Sequence, residues 1–359
     1  MGNRRLQIES LASRWSRIDE AHAGVWRPFG TDALLIKDIS ISPVDEIAIQ
    51  RRTPASRGVS LDSRCIAYLT EVWSGSAIDA DALSGDQHWH AYRISSNASW
   101  NHWKKDARNL KSKENIWWAD NLLDAARKYS WHESRVGGFA SISLALQHAL
   151  RAGDEVNVAA VCQIILRWGG VEKRGKRFLE WVYSQAERET LCELLVDATR
   201  RLIPNSSLNL EQFDGKTYFM DSSSTKVYSA LALDLTDGIG SPKQDVLIYD
   251  GRVAGAIALV TKRLLAASGF KYLPDQYKFP VERPYGSSAR RNPSTEEFRF
   301  PSFAYGTAQA AAATHFGRAC YARFASSVIQ VVLGVNKPSS DFIECERGLF
   351  MVGYDLNRL

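Results

Sequence analysis

The sequence predicts a mainly α-helical protein. Apolar residues recur at helical spacing through most of the chain beyond residue 60. Capping and breaking residues (Asp154, Gly169, Pro204) punctuate those stretches. No alternation of strand and helix patterns marks a βαβ unit. With 359 residues, 45% of them hydrophobic, the chain can bury a sizeable core in one large domain or two ordinary ones.

Residues 1–60 mix short apolar runs with turn formers such as Pro28, Gly30, Pro54 and Gly58. They read as an irregular N-terminal extension with one strand near 34–41. Residues 61–359 read as a helical domain. Its first candidate helices run from Arg64 to Trp73 and from Asn115 to Tyr129, the second with Ile116, Leu122, Leu123 and Ala126 at helical spacing. Phe139 to Arg151 and Glu155 to Trp168 predict an antiparallel pair joined by Ala152-Gly153-Asp154. Asp154 is placed to cap the second helix, and Gly169-Gly170 to end it. From Ala186 to Ile203 a stripe of Leu191, Leu194, Leu195, Ala198 and Leu202 predicts an amphipathic helix that Pro204 stops. A helix over Ser222 to Leu233, a turn-rich link over 237–242 and a helix from Gly251 to Ala267 follow. Residues 270–306 predict a long loop rich in Tyr, Phe, Pro and Arg, suited to a lid or a recognition insert. An Ala-rich helix is expected over 307–334. All eleven tryptophans lie at or before Trp181, so the two halves are expected to be built differently.

The net charge of +5 admits a nucleic-acid partner without requiring one. Basic runs at Lys104-Lys105, Lys111 to Lys113 and Lys173-Arg174-Gly175-Lys176-Arg177 are phosphate-contact candidates, though each also fits a solvated turn. Five cysteines (Cys65, Cys162, Cys192, Cys320, Cys345) show no metal or redox spacing, which points to reduced thiols in a cytoplasmic protein. The N-terminus lacks the apolar run of a signal peptide, and Leu6 stands where a myristoylation motif wants Ser or Thr. Ala308 to Val335 is interrupted by His315, Arg318 and Arg323, so no membrane association is expected. His88-Trp89-His90 with His102 alternates as metal ligands can, but no carboxylate or cysteine sits at useful spacing. Neither a metal nor a cofactor is expected. Trp100 and Trp103 in the same stretch are candidates for stacking on bases, with core packing as the plainer reading.

The chemistry concentrates in two places. Lys226 stands in the first turn of one predicted helix, after Ser222-Ser223-Ser224-Thr225. Asp250 opens the next, before Gly251-Arg252-Val253. Breaking an N-glycosidic bond builds positive charge on the sugar, which a carboxylate stabilises. An amine can attack the sugar carbon and form a Schiff base. A lysine in the first helical turn lies at the positive end of the helix dipole. An aspartate that caps the amides of Arg252 and Val253 is anchored facing the space between the helices. Taken singly, Asp250 reads more simply as an N-cap and Lys226 as a solvated lysine. One helix and one connection separate them, so they are expected to meet.

Ser-Ser-Ser-Thr-Lys-Val followed by Ile-Tyr-Asp-Gly-Arg-Val-Ala resembles the helix-hairpin-helix DNA glycosylases, most closely the 8-oxoguanine glycosylase branch. There a hairpin reading Gly-Val-Gly-Thr-Lys-Val leads into the catalytic lysine, and Val-Asp-x-x-Val carries the catalytic aspartate. Lys226 and Asp250 fall on those two positions. The resemblance covers residues 213–260, with hairpin and catalytic segment over about 205–267. It implies a two-lobed fold that flips a modified base from double-stranded DNA into a cleft between lobes. It further implies contacts to DNA from Ser222, Ser223, Ser224, Thr225 and Arg252, and a monomeric enzyme. Serines at 222 and 224 stand where the family has glycines, so the grip on DNA is expected to differ. The design is also similar to bacterial glycosylases that excise hypermodified bases, such as glucosylated hydroxymethylcytosine, from phage DNA. The expected activity is excision of an oxidised purine or such a phage base, with or without strand nicking. The rivals are a non-catalytic DNA-binding or interaction module on the same fold and a hydrolase using the histidines around 88–102.

Overall fold

The computed structural model describes Ile8, Tyr68 and residues 70–73, 89–94, 116–129, 138–204, 206–234, 243–244, 246–274, 277, 280–281, 291–301, 314–336 and 342–356. The protein is mainly α-helical over these residues. The expected strand near 34–41, the N-terminal extension apart from Ile8, and His88, Trp100, His102 and Trp103 lie outside them.

Two short strands follow the helical residues 70–73. β1 (His90–Arg93) pairs antiparallel with β2 (Ile116–Ala119), with His90 opposite Ala119. The helix expected from Asn115 therefore begins later, as α1 (Leu122–Arg127), capped by the side chain of Asn121. The cause is visible in Ile116-Trp117-Trp118. Bulky aromatic and β-branched residues favour a pleated surface, and burial alternates along them. Tyr92 stacks on Trp117 at 4.8 Å and donates through its hydroxyl to the carbonyl of Met351.

The predicted antiparallel pair forms as α2 (Phe139–Arg151) and α3 (Glu155–Trp168). Asp154 caps α3 by accepting the Asn157 amide, and Gly153 turns the chain with φ of 63°. α3 is buried on nearly every side and packs against α2, α4 (Lys176–Glu187), α5 (Leu191–Leu202) and α6 (Ser224–Ala232). The helix expected over Ala186 to Ile203 forms as α5 but starts later, at Leu191, while Ala186 and Glu187 close α4. Glu189 adopts a left-handed φ of 61°, and the Thr190 amide returns to the Gln185 carbonyl, ending α4. The Glu155 carboxylate then accepts the amides of Leu191 and Cys192 and caps α5 from another helix.

β3 (Leu233–Asp234) and β4 (Lys243–Gln244) pair after α6. α7 (Gly251–Ala267) matches its predicted span. α8 (His315–Asn336) is shorter at its start than the expected 307–334 helix, of which residues 307–313 lie outside the description. α9 (Phe342–Val352) packs on α1 and α7. The bundle around α3 and the layer of α1, α7 and α9 share one continuous core. Buried tryptophans occur in both: Trp168 and Trp181 in the bundle, Trp89 and Trp117 beside the layer. The uneven tryptophan distribution therefore does not follow the packing. Among the described residues, no helix is long and apolar enough to cross a membrane, and Cys162, Cys192, Cys320 and Cys345 form no disulfide.

Candidate active site

Lys226 and Asp250 are brought together across the junction between the bundle and the α7–α9 layer. Lys226 Nζ lies 3.8 Å from Asp250 Oδ2 and donates to the carbonyl of Ser222 at 3.0 Å. Their side chains are only 5% and 15% exposed, so the pair is shielded from the screening that weakens surface ion pairs.

Each partner is fixed by local structure. α6 is buried from Ser224 to Ala230, and Tyr228 donates to the carbonyl of Phe219. The helix starts two residues later than expected and ends one residue earlier. Its first amides are taken by Asp221, a residue without a place in the sequence motif. Asp221 Oδ1 accepts from Ser223 N at 2.7 Å and from Ser224 N at 2.8 Å. The lysine stem runs against Gly169, at the end of α3. A Cβ there would sit 2.6 Å from both Cδ and Cε of Lys226. Gly169 thus ends a helix, as the sequence suggests, and also makes room for the lysine. Gly169→Ala is expected to push the Nζ away from Asp250 and weaken the pair. Urea unfolding should show a loss of about 1 kcal/mol, because the displaced neighbour is a flexible side chain; an unchanged midpoint would contradict this.

Asp250 caps α7 as expected, accepting from Arg252 N at 2.9 Å and Val253 N at 3.2 Å. The strand-like approach to it is pinned from two helices: Ser326 on α8 accepts the Leu247 amide, and Glu346 on α9 accepts the Ile248 amide. Burial opposes ionisation of Asp250, but Lys226, Arg252 and Arg291 outweigh it and hold the carboxyl below its ordinary range. A lowered carboxyl favours the folded state above the unfolded pKa of about 4, and that contribution fades as pH falls through the window below it. Stability measured by urea unfolding should therefore decline on acidification below about pH 4, and Asp250→Asn should flatten that decline.

Met220, Asp221, Ser222, Thr225, Tyr249, Asp250 and Arg318 line a small cleft beside the pair. Of the residues expected to touch DNA, Ser222 is half-buried at this cleft. Ser223, Ser224 and Thr225 are buried, and the Thr225 hydroxyl donates to the Ser222 carbonyl. Arg252 faces inward: its guanidinium lies 4.2 Å over the Phe350 ring and 5.3 Å over Tyr354. Burial, then Arg291, lowers its pKa to about 10. Its position makes it a support for Asp250. Arg291, from the long loop, belongs to the same charged group. The loop's Phe298 and Phe300 pack into the core, so this part is anchored rather than free-standing.

His90, from the sequence's histidine stretch, is fully buried, and its Nε2 lies 2.9 Å from the Asp355 carbonyl oxygen. Among the described residues, no group of His, Cys, Asp and Glu is placed to hold a metal. Asp221, Gly169, Arg291 and Arg318 are site residues that the sequence does not mark as such. Asp221 alone carries a local signal, an acidic residue just before a predicted helix start. No family model, curated protein or solved structure matches the chain.

Proposed function

We propose that the protein is a DNA glycosylase of helix-hairpin-helix design that excises a modified base. The buried Lys226–Asp250 pair, with Asp250 lining a small cleft, is the observation that carries this reading. A lysine and a carboxylate from the starts of two successive helices are the groups that sugar-cation chemistry needs. Asp250, held ionised by three neighbouring cations, offsets the charge that grows on the sugar as the C1′–N bond breaks. The bond's electron pair leaves with the base, which takes up a proton. The Lys226 ammonium gives up that proton and, now neutral, bonds to C1′ through its lone pair; as the C1′–O4′ bond breaks, a second proton passes from Nζ to O4′ and a protonated Schiff base remains. Loss of the C2′ proton from that Schiff base would expel the 3′-phosphate and nick the strand.

Oxidised purines and glucosylated hydroxymethylcytosine are the substrate classes that the sequence resemblance favours. The test is incubation with duplexes carrying each modified base, with the released base identified by mass spectrometry. Release of one of them, lost in Asp250→Asn, supports the reading. No release from any modified duplex, with the protein folded and bound to DNA, favours the non-catalytic binding module.

A further inference from the structure

The start of α6 is where a helix-hairpin-helix protein would offer backbone amides to a phosphate. Here Asp221 already occupies the amides of Ser223 and Ser224 with its own carboxylate. An anion approaching that point meets a negative charge, and the buried hydroxyls of Ser223, Ser224 and Thr225 are turned away from solvent. Strand binding needs another cationic surface close to the cleft.

One lies immediately beside it. Lys173, Arg174, Lys176 and Arg177, all exposed, flank the buried Gly175 at the start of α4. Gly175 rests on the α6 start: a Cβ there would lie 2.9 Å from Ser223 Oγ and 3.1 Å from Ser223 Cβ. The turn is therefore fixed to the residue that precedes the helix bearing Lys226. Met220, on the cleft wall, is held by α8: His315 Nδ1 lies 2.8 Å from the Met220 carbonyl oxygen. Arg318 lines the cleft with Ser222, Thr225 and Asp250. Of the acidic residues flanking the turn in sequence, Glu172 accepts from Arg167 and Gln163, and Glu180 pairs loosely with Lys176 at 3.9 Å.

We infer that the basic turn Lys173, Arg174, Lys176 and Arg177, seated on Ser223 through Gly175, grips the phosphate backbone of duplex DNA beside the cleft, in place of the amides at the start of α6. This rests on the DNA-directed reading of the site, but it concerns binding and not chemistry. Lysine and arginine at the surface exchange counterions for phosphates, so each neutralised phosphate contributes about 0.9 to the slope of log K against log salt on duplex DNA.

The test is binding of the full chain to an unmodified duplex by fluorescence anisotropy over a salt series. Compared are the wild type, the combined variant K173Q/R174Q/K176Q/R177Q, and the control R151Q/R188Q, whose arginines lie at the ends of α2 and α4. The four-residue variant should lower the slope by about 0.9 for each phosphate no longer neutralised and weaken binding at least tenfold at low salt, with the control near wild type. Equal slopes for wild type and four-residue variant, a weakening shared equally by the control, or no duplex binding by the wild type each overturn the inference. Base release with an unchanged slope would remove this surface and leave the glycosylase reading standing. A turn-dependent slope without base release would do the reverse.

Discussion

Asp250→Asn is expected to reduce base release on the order of 10³-fold while leaving the protein folded. Asparagine is as good an N-cap as aspartate, so the amides of Arg252 and Val253 keep their acceptor. What is lost is the negative charge. Lys226, Arg252 and Arg291 then face one another without the carboxylate that they now surround. The cost in stability is about 2 kcal/mol, a fraction of the roughly 5–15 kcal/mol that holds a typical domain together. Asp250→Ala should cost about 1 kcal/mol more, the value of the lost cap. Activity assays paired with urea unfolding on both variants separate the two contributions. Near-equal activity losses with unequal stability losses are expected. Activity that tracks stability would mean that Asp250 is only a cap.

Gly353→Ala is expected to give the largest stability loss of any glycine-to-alanine change in the described structure, about 3 kcal/mol. A Cβ at Gly353 would overlap the carbonyl group of Arg252. The obstacle is backbone in the first turn of α7, so no side chain can swing aside. α9 and the start of α7 must move apart, and Asp250 and the stacked Arg252 move with them. The urea midpoint should fall with an unchanged m value, and base release should fall with it. Contrast with Gly169→Ala is informative, since there the obstructing group is the flexible stem of Lys226. A stable Gly353→Ala protein would show that the approach of α9 to α7 is looser than described.

Much of the helical architecture is legible in the sequence because the caps and breakers are local. Asp154, Gly153 and Gly169 set the ends of the α2–α3 pair, and Asp250 sets the start of α7. Where expectation and structure part, a distant partner decides. Ile116 to Ala119 carries a pattern that suits a helix or a strand, and the pairing with His90 to Arg93 selects the strand. The break at Glu189 depends on Thr190 returning to Gln185 and on Glu155 capping the next helix from another element. No window around Ala186 to Ile203 contains Glu155. The candidate site divides in the same way. Lys226 and Asp250 carry recognisable chemistry at helix starts, so type and position mark them. Gly169, Arg291 and Arg318 reach the site only through packing, from a helix end, a long loop and the first turn of α8. Arg252 shows the opposite failure: a basic residue next to the motif reads as a DNA contact, whereas its guanidinium lies over two rings of the core layer.

The pairing of Lys226 with Asp250 is tested most directly by borohydride trapping on duplexes carrying the candidate modified bases, followed by peptide mapping of the covalent adduct. The wild type should be captured through Lys226, Lys226→Gln should not be captured, and Asp250→Asn should be captured far more slowly. Capture at another lysine, or undiminished capture of Lys226→Gln, would contradict the assignment.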